Sequence, residues 1–230
     1  MKSFIGIVCI TSALVAAGTS AAYAANYPSQ NIVVCSPAGS PALAQPGAEA
    51  MYLHSLGDGR TLLYVEDLGG RSLSILDVTT PGAIKLVGHA EIAAKGPFDF
   101  VPDVTDNGTL IRYRAGLGLA LIDFVHWKHP SIVEGPELAN ATRAEAIGAS
   151  DLLLSSGSDM PITARTAQSY DVVDRSDFSK PRNLATIPAV TQRLLKSDTG
   201  TLFLLSPAGI TVIRRLGAEQ RAVEAANPSN

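Results

Sequence analysis

One phrase recurs four times along this chain, and its period decides what the chain can fold into. A short apolar segment is followed, across a polar turn, by a second apolar segment. In three copies the second ends in Asp, with Pro four or seven residues further on. Residues 62–65 lead to Leu73-Ser74-Ile75-Leu76-Asp77 and Pro81, and residues 110–113 lead to Leu119-Ala120-Leu121-Ile122-Asp123 and Pro130. Residues 152–154 lead to Tyr170-Asp171-Val172-Val173-Asp174 and Pro181. In the fourth copy residues 202–205 lead to Ile210-Thr211-Val212-Ile213, and Arg214 stands in the Asp position. The four equivalent positions are 46, 51 and 40 residues apart. Self-similarity at such a period means that each unit is one supersecondary element stacked on its neighbours.

The unit is a β unit. Helical repeats of this length need amphipathic stretches of ten or more residues, whereas these apolar runs are short, rich in Leu, Ile and Val, and bounded by Gly, Asp, Asn, Ser and Pro. Gly57-Asp58-Gly59, Asp106-Asn107-Gly108 and Asp198-Thr199-Gly200 are tight-turn sequences. Four strands per unit follow: 50–55, 61–66, 72–78 and 84–89; then 98–104, 109–114, 119–124 and 131–134; then 143–147, 151–155, 169–174 and 183–187; and last 192–196, 201–206, 210–215 and 220–224. The expected fold is all-β, a β-propeller or propeller-like array of about four blades with four antiparallel strands each. Residues 25–47 form an N-terminal segment whose run 31–35 is placed to pair with the last blade and close the ring; 36–47 reads as a loop. An open array that completes itself by association is the alternative.

The quoted motifs resemble LVIVD repeats, whose pattern is an apolar strand ending in Asp, a Ser/Thr-rich turn and a Pro. The closest copy is Ser72-Leu73-Ser74-Ile75-Leu76-Asp77-Val78-Thr79-Thr80-Pro81, and the likeness extends over the repeat domain, residues 48–230, weakening toward the fourth unit. The resemblance implies a propeller-like fold and no catalytic residues. Asp at a strand end accepts a hydrogen bond from its own turn, and Pro stops the strand; where Arg214 replaces Asp, the turn must be built differently.

Residues 1–24 read as a signal peptide: Lys2, an apolar stretch over 4–17, then Ala22-Tyr23-Ala24 before the cleavage point. Gly18-Thr19-Ser20 interrupts the apolar run short of the roughly 20 residues a membrane span needs. A periplasmic or secreted product is expected, with no membrane insertion after cleavage. The mature chain keeps 206 of 230 residues, and loss of Lys2 takes the net charge from −3 to −4. No block of five like charges occurs, so nothing points to nucleic acid or an anionic membrane. Cys9 leaves with the leader, and Cys35 alone remains, read as a buried, inert thiol on a strand.

Candidate chemistry is sparse. His126-Trp127-Lys128-His129 lies between a strand end and Pro130, and reads as an exposed turn with an aromatic lid rather than a zinc site, which needs three or four converging ligands. His54 and His89 read as half-buried strand residues. No Gly-x-Ser-x-Gly motif occurs, and residues 103–108 are a hairpin rather than a calcium loop. The insertion 155–168 in the third unit is a loop, either tolerated or in contact with a ligand. No metal and no cofactor is expected.

Aligning the units at the start of their first strands brings Glu49, Asp99, Arg143, Glu145 and Arg193, with Gln192, toward one end of the array. Mixed charges there form either a ligand site at a channel mouth or a ring of structural ion pairs. The reading is therefore an exported scaffold that binds a protein or small ligand through its blade-connecting loops, without catalysis. The alternative is a propeller-type hydrolase or lactonase with a channel-mouth site; a third reading is a purely structural subunit of an envelope assembly, and self-association is a further expectation for the surface.

Overall fold

The structure is a computed structural model that describes residues 32–67, 69–105, 108–114, 116–141, 143–147, 151–155, 167–174 and 182–226. The leader 1–24 lies outside the described residues, as does most of the 155–168 insertion. The chain is all-β in its main elements. The first sheet is a meander of β2 (Ala50–Ser55), β3 (Thr61–Asp67), β4 (Ser72–Asp77) and β5 (Lys85–Glu91). The second repeats it with β6 (Phe98–Thr105), β7 (Gly108–Tyr113), β8 (Leu119–Asp123) and β9 (Ser131–Val133). All neighbours within these sheets are antiparallel.

In the third unit β10 (Arg143–Ile147) pairs with β11 (Asp151–Ser155), and β12 (Gln168–Asp174) with β13 (Arg182–Val190). The strands fall where the alternation predicts, but the two pairs are separate sheets. Elsewhere the second and third strands of a unit are joined by short turns, whereas here the chain runs from Ser155 to Gln168. So long a connection costs more closure entropy and imposes no register.

The last sheet has the order β1–β16–β15–β14, from β14 (Gln192–Lys196), β15 (Thr201–Ser206), β16 (Gly209–Arg215) and β1 (Ile32–Cys35). The N-terminal run pairs with the last unit as expected, with Val34 opposite Ile213 and Cys35 opposite Val212. The expected fourth strand, 220–224, is instead part of helix α2 (Leu216–Ala226). Ala, Glu, Gln and Arg dominate that segment and favour helix, and β1 already fills the outer place beside β16. Residues 36–47, read as a loop, hold two 3-10 turns, Pro37–Gly39 and Pro41–Leu43, the second of which buries Leu43.

Alternation along the strands gives each central sheet two buried faces. Tyr52, Leu62, Tyr64, Leu73 and Ile75 of the first sheet pack with Phe98, Phe100, Ile111, Tyr113, Ile122 and Phe124 of the second. The opposite face of the first sheet, with Met51, Leu63, Val65 and Leu76, meets Phe203, Leu205, Ile210 and Val212 of the last. The far face of the last sheet, through Leu204, packs with Val172, Leu184, Ile187 and Val190 of the β12–β13 pair. Leu110 and Leu119 are covered by Leu138 of the short helix α1 (Pro136–Ala139) and by Ala141. The first strands are neighbours, β2 lying against β6 on one side and β14 on the other, and β6 against β10.

Between sheets the approach is close. Gly70 has φ +86, and a Cβ there would stand 2.2 Å from the Gly96 carbonyl oxygen, so glycine alone fits this turn.

Candidate functional site

The repeat's own polar residues act where the sequence places them. Asp77 Oδ1 accepts from the Thr79 N–H at 2.9 Å, and Asp123 Oδ1 from the Val125 N–H at 2.8 Å. Each ends its strand with an Asx turn. Arg214 takes another course: its Nε and Nη2 donate to the Glu219 carboxylate at 3.0 and 2.7 Å. Glu219 lies in the first turn of α2, where the helix dipole also favours it. The Asp-to-Arg change thus ties a helix to the last sheet.

The first strands of the first two sheets start beside one another, and their starts bring charges together. Asp99, in β6, accepts on Oδ1 from Arg114 Nε and Nη2, both at 3.0 Å. Glu49, just before β2, is bound by Arg114 Nη1. Arg114 Nη2 also donates to the Phe98 carbonyl at 2.7 Å and to Glu66 Oε2 at 3.1 Å. Glu66 Oε1 accepts from the Phe98 N–H at 3.4 Å. One guanidinium therefore links β2, β3 and β6, and three carboxylates share it.

Glu66 is wholly buried, 0% exposed. Burial pushes its carboxyl up to about 7; the nearby Arg114 opposes this rise, and Glu49 adds to it. For Arg114, burial works against the charge, but Glu66 and Asp99 outweigh it and hold the guanidinium above its ordinary range.

Of the residues expected at this end, Glu49 and Asp99 come together. Arg193 does not join them: it is exposed on β14, opposite Leu204 in the strand register. Arg143 and Glu145 belong to β10, beside β6, and their side chains lie outside the described residues. Gln192 spans two sheets, accepting from the Met51 N–H at 2.7 Å and donating to the Met51 carbonyl at 2.9 Å.

The reading of the units missed Arg114 and Glu66. A signal for Glu66 exists: it shares the parity of Leu62 and Tyr64, so alternation sets it on the buried face. Arg114, the last residue of the expected strand 109–114, stands just beyond β7 at the start of a Gly-rich turn, and no local pattern marks it.

At the other end of these sheets the His126–His129 stretch is a turn, closed by a 2.6 Å bond from the His129 N–H to the His126 carbonyl. Trp127 is partly buried against the core, with the Arg60 guanidinium 4.9 Å and the Lys128 ammonium 5.1 Å from its ring centroid. Both lie within cation–π range. Arg60 is held in place by Asp58, at 2.8 Å from Nε and 2.7 Å from Nη2. Val125, His126, Lys128 and His129 are exposed.

The other two histidines depart from their expected half-burial. His54 is buried among Tyr52, Tyr64 and Phe124, because its parity follows Tyr52 onto the inter-sheet face. His89 is exposed on the outer strand β5. Cys35, expected to be buried, is only partly buried: β1 is an edge strand, and Cys35 lines a cleft of about 380 Å³ with Val34, Leu43, Pro81 and Ile84. Among the described residues no group of three His, Cys, Asp or Glu is placed to hold a metal ion, and no helix is long and apolar enough to cross a membrane. No family model matches the chain, and no curated protein matches it.

Proposed function

We propose that this chain is an exported, propeller-type repeat scaffold of the LVIVD kind, which binds a protein or small ligand and catalyses no reaction; the surface favoured is a turn within the second unit, between β8 and β9, rather than the expected blade-connecting loops. Side-by-side first strands, β14 to β2 to β6 to β10, support radial blades, and the pairing of β1 with β16 supports ring closure by the N-terminal strand. The observation that carries the binding role is the Trp127 turn. A partly buried indole with two cations beside its ring, on a turn packed against the sheet core, offers an ordered aromatic contact at little further ordering cost. The charges at the opposite end favour a bracing role, since Glu49 and Asp99 are engaged with Arg114 across two sheets.

Trp127 is the sole tryptophan, so its emission reports on this turn alone. The test is to titrate purified mature protein with fractionated periplasmic extract and follow fluorescence and melting temperature. A bound fraction that shifts the emission, and fails to do so with Arg60→Ala and Lys128→Ala, supports the loop reading. Binding that raises the melting temperature but leaves Trp127 unperturbed moves the site elsewhere.

The channel-mouth hydrolase draws on one observation, a carboxyl tuned near neutrality at Glu66, as general acid–base catalysis requires. Because Glu66 is fully covered, a substrate would meet Glu49 and Asp99 first. Turnover of ester or lactone substrates that is lost in Glu66→Gln would select this reading.

A further inference from the structure

At the junction of the first and second sheets one nitrogen is oversubscribed. Arg114 Nη2 carries two hydrogens, yet three acceptors surround it: Phe98 O at 2.7 Å, Asp99 Oδ1 at 3.0 Å and Glu66 Oε2 at 3.1 Å. Of the three remaining N–H groups, the one on Nε serves Asp99 and one on Nη1 serves Glu49. Glu66 holds the longest of the Nη2 contacts, and its other oxygen has a backbone N–H at 3.4 Å. It is the carboxylate least compensated for its burial.

The surrounding charges do not relieve it. On its own strand, Asp67 accepts hydrogen bonds from Ser72 and Ser74 of β4. From the second sheet, Glu134 is occupied by Tyr113 at 3.0 Å and Lys95 at 2.9 Å. Arg112 pairs in register with Asp99 and so shares its face of the sheet, but among the described residues no hydrogen bond or ion pair links it to Glu66, and its buried Nε has no hydrogen-bond partner. The side chains of Arg143 and Glu145, on the strand beside β6, lie outside the described residues.

We propose that the Glu66–Arg114 contact is an acid-operated joint between the first two sheets. While Glu66 is ionised, three carboxylates compete for one guanidinium and the joint is weakened. When Glu66 takes up a proton, Arg114 is left to Asp99, Glu49 and the Phe98 carbonyl, and the joint tightens. The elevation of this carboxyl to about 7 sets proton uptake close to neutrality. The sign follows from linkage. The folded state holds a proton that the unfolded state, near 4.3, has already released, so stability rises as pH falls from about 7 toward 4. An ion-paired carboxylate with a depressed pKa behaves in the opposite way.

The test uses the mature chain, wild type and Glu66→Gln, melted between pH 5 and 8, with amide exchange followed at Phe98. Glu66→Gln is expected to melt several degrees above wild type at pH 8, and the gap to close near pH 5. In wild type, protection of the Phe98 amide should rise on the order of tenfold per unit of pKa shift as pH falls through that window. Parallel melting curves for the two proteins overturn the proposal. Glu49→Gln should move the wild-type midpoint to lower pH by releasing Arg114 to Glu66, and an unmoved midpoint overturns the competition on which the joint rests. If Glu66→Gln fails to fold, carboxyl-carbon NMR of wild type decides: a Glu66 midpoint near 4.5 overturns the joint, and one near 7 supports it.

Discussion

Gln192 closes a two-point clasp on the backbone of Met51, its carboxamide accepting from the N–H at 2.7 Å and donating to the carbonyl at 2.9 Å. The two residues lie 141 positions apart and join the first strand of the last sheet to that of the first sheet. Met51 is only 1% exposed, so water does not readily replace either bond. Gln192→Leu should therefore lower stability by about 1–3 kcal/mol, the cost of leaving buried polar groups unpaired. Urea denaturation measures this, and a loss below about 0.5 kcal/mol would show that the clasp is incidental.

Ile75 is wholly buried between the first two sheets, as its alternation with Leu73 predicts. Its δ-carbon lies 3.3 Å from where a Cβ on Gly88 would stand, so the neighbouring strand leaves no room to turn a polar group away. Ile75→Asp should cost several kcal/mol, a large part of the 5–15 kcal/mol typical of a whole domain. Val125→Asp, on the exposed turn, should stay within about 0.5 kcal/mol of wild type. Circular dichroism melts of the two variants separate a core strand from a loop.

The strand-end aspartates make a graded prediction. Asp77→Ala removes the acceptor for the Thr79 N–H and should cost about 1 kcal/mol, and Asp123→Ala about the same at Val125. Asn at either position keeps the acceptor oxygen and should recover most of the loss. Arg214→Asp should not behave as a restored repeat, because it sets a carboxylate against Glu219 and releases α2. Limited proteolysis should then remove the C-terminal helix before the sheets are cut.

Alkaline titration probes the same inter-sheet core. Burial pushes the Tyr113 phenol up to about 12, with Glu134 adding to the rise, and burial raises Tyr64 as well. At pH 11 both should remain protonated, while ordinary tyrosines, near 10, have ionised. The folded state retains these protons longer than the unfolded chain does, so stability contributed at neutral pH is lost as pH rises above about 10. Absorbance at 295 nm checks this. Tyr113→Phe should leave the absorbance at pH 11 unchanged, and a reduced signal would mean that Tyr113 titrates normally.

The strands were legible because their code is local. Alternating apolar residues between Gly-, Asp- and Asn-rich turns place β2, β14 and β15 at the bounds the pattern predicts, and put Ile75 and Leu73 inside. The Asx turns at Asp77 and Asp123 were equally legible, since donor and acceptor are two residues apart. At the inner strand ends, aligning the units found Glu49 and Asp99 but passed over Arg114 and Glu66. An ion pair between residues 48 positions apart depends on which sheet faces come together, and no short-range pattern records that.

The repeat predicts a fourth strand over 220–224; tertiary structure gives that place to β1, leaving a helix-forming segment to fold by its own propensity. The separation of the third unit into two pairs was likewise beyond local reading, because hydrogen bonding between strands is decided by the chain between them as well as by the strands. The sequence by itself determined where the strands run and which side chains turn inward. Packing alone decided which sheets meet, and with that the raised carboxyl of Glu66, because its burial and its single shared guanidinium are contributed by separate sheets.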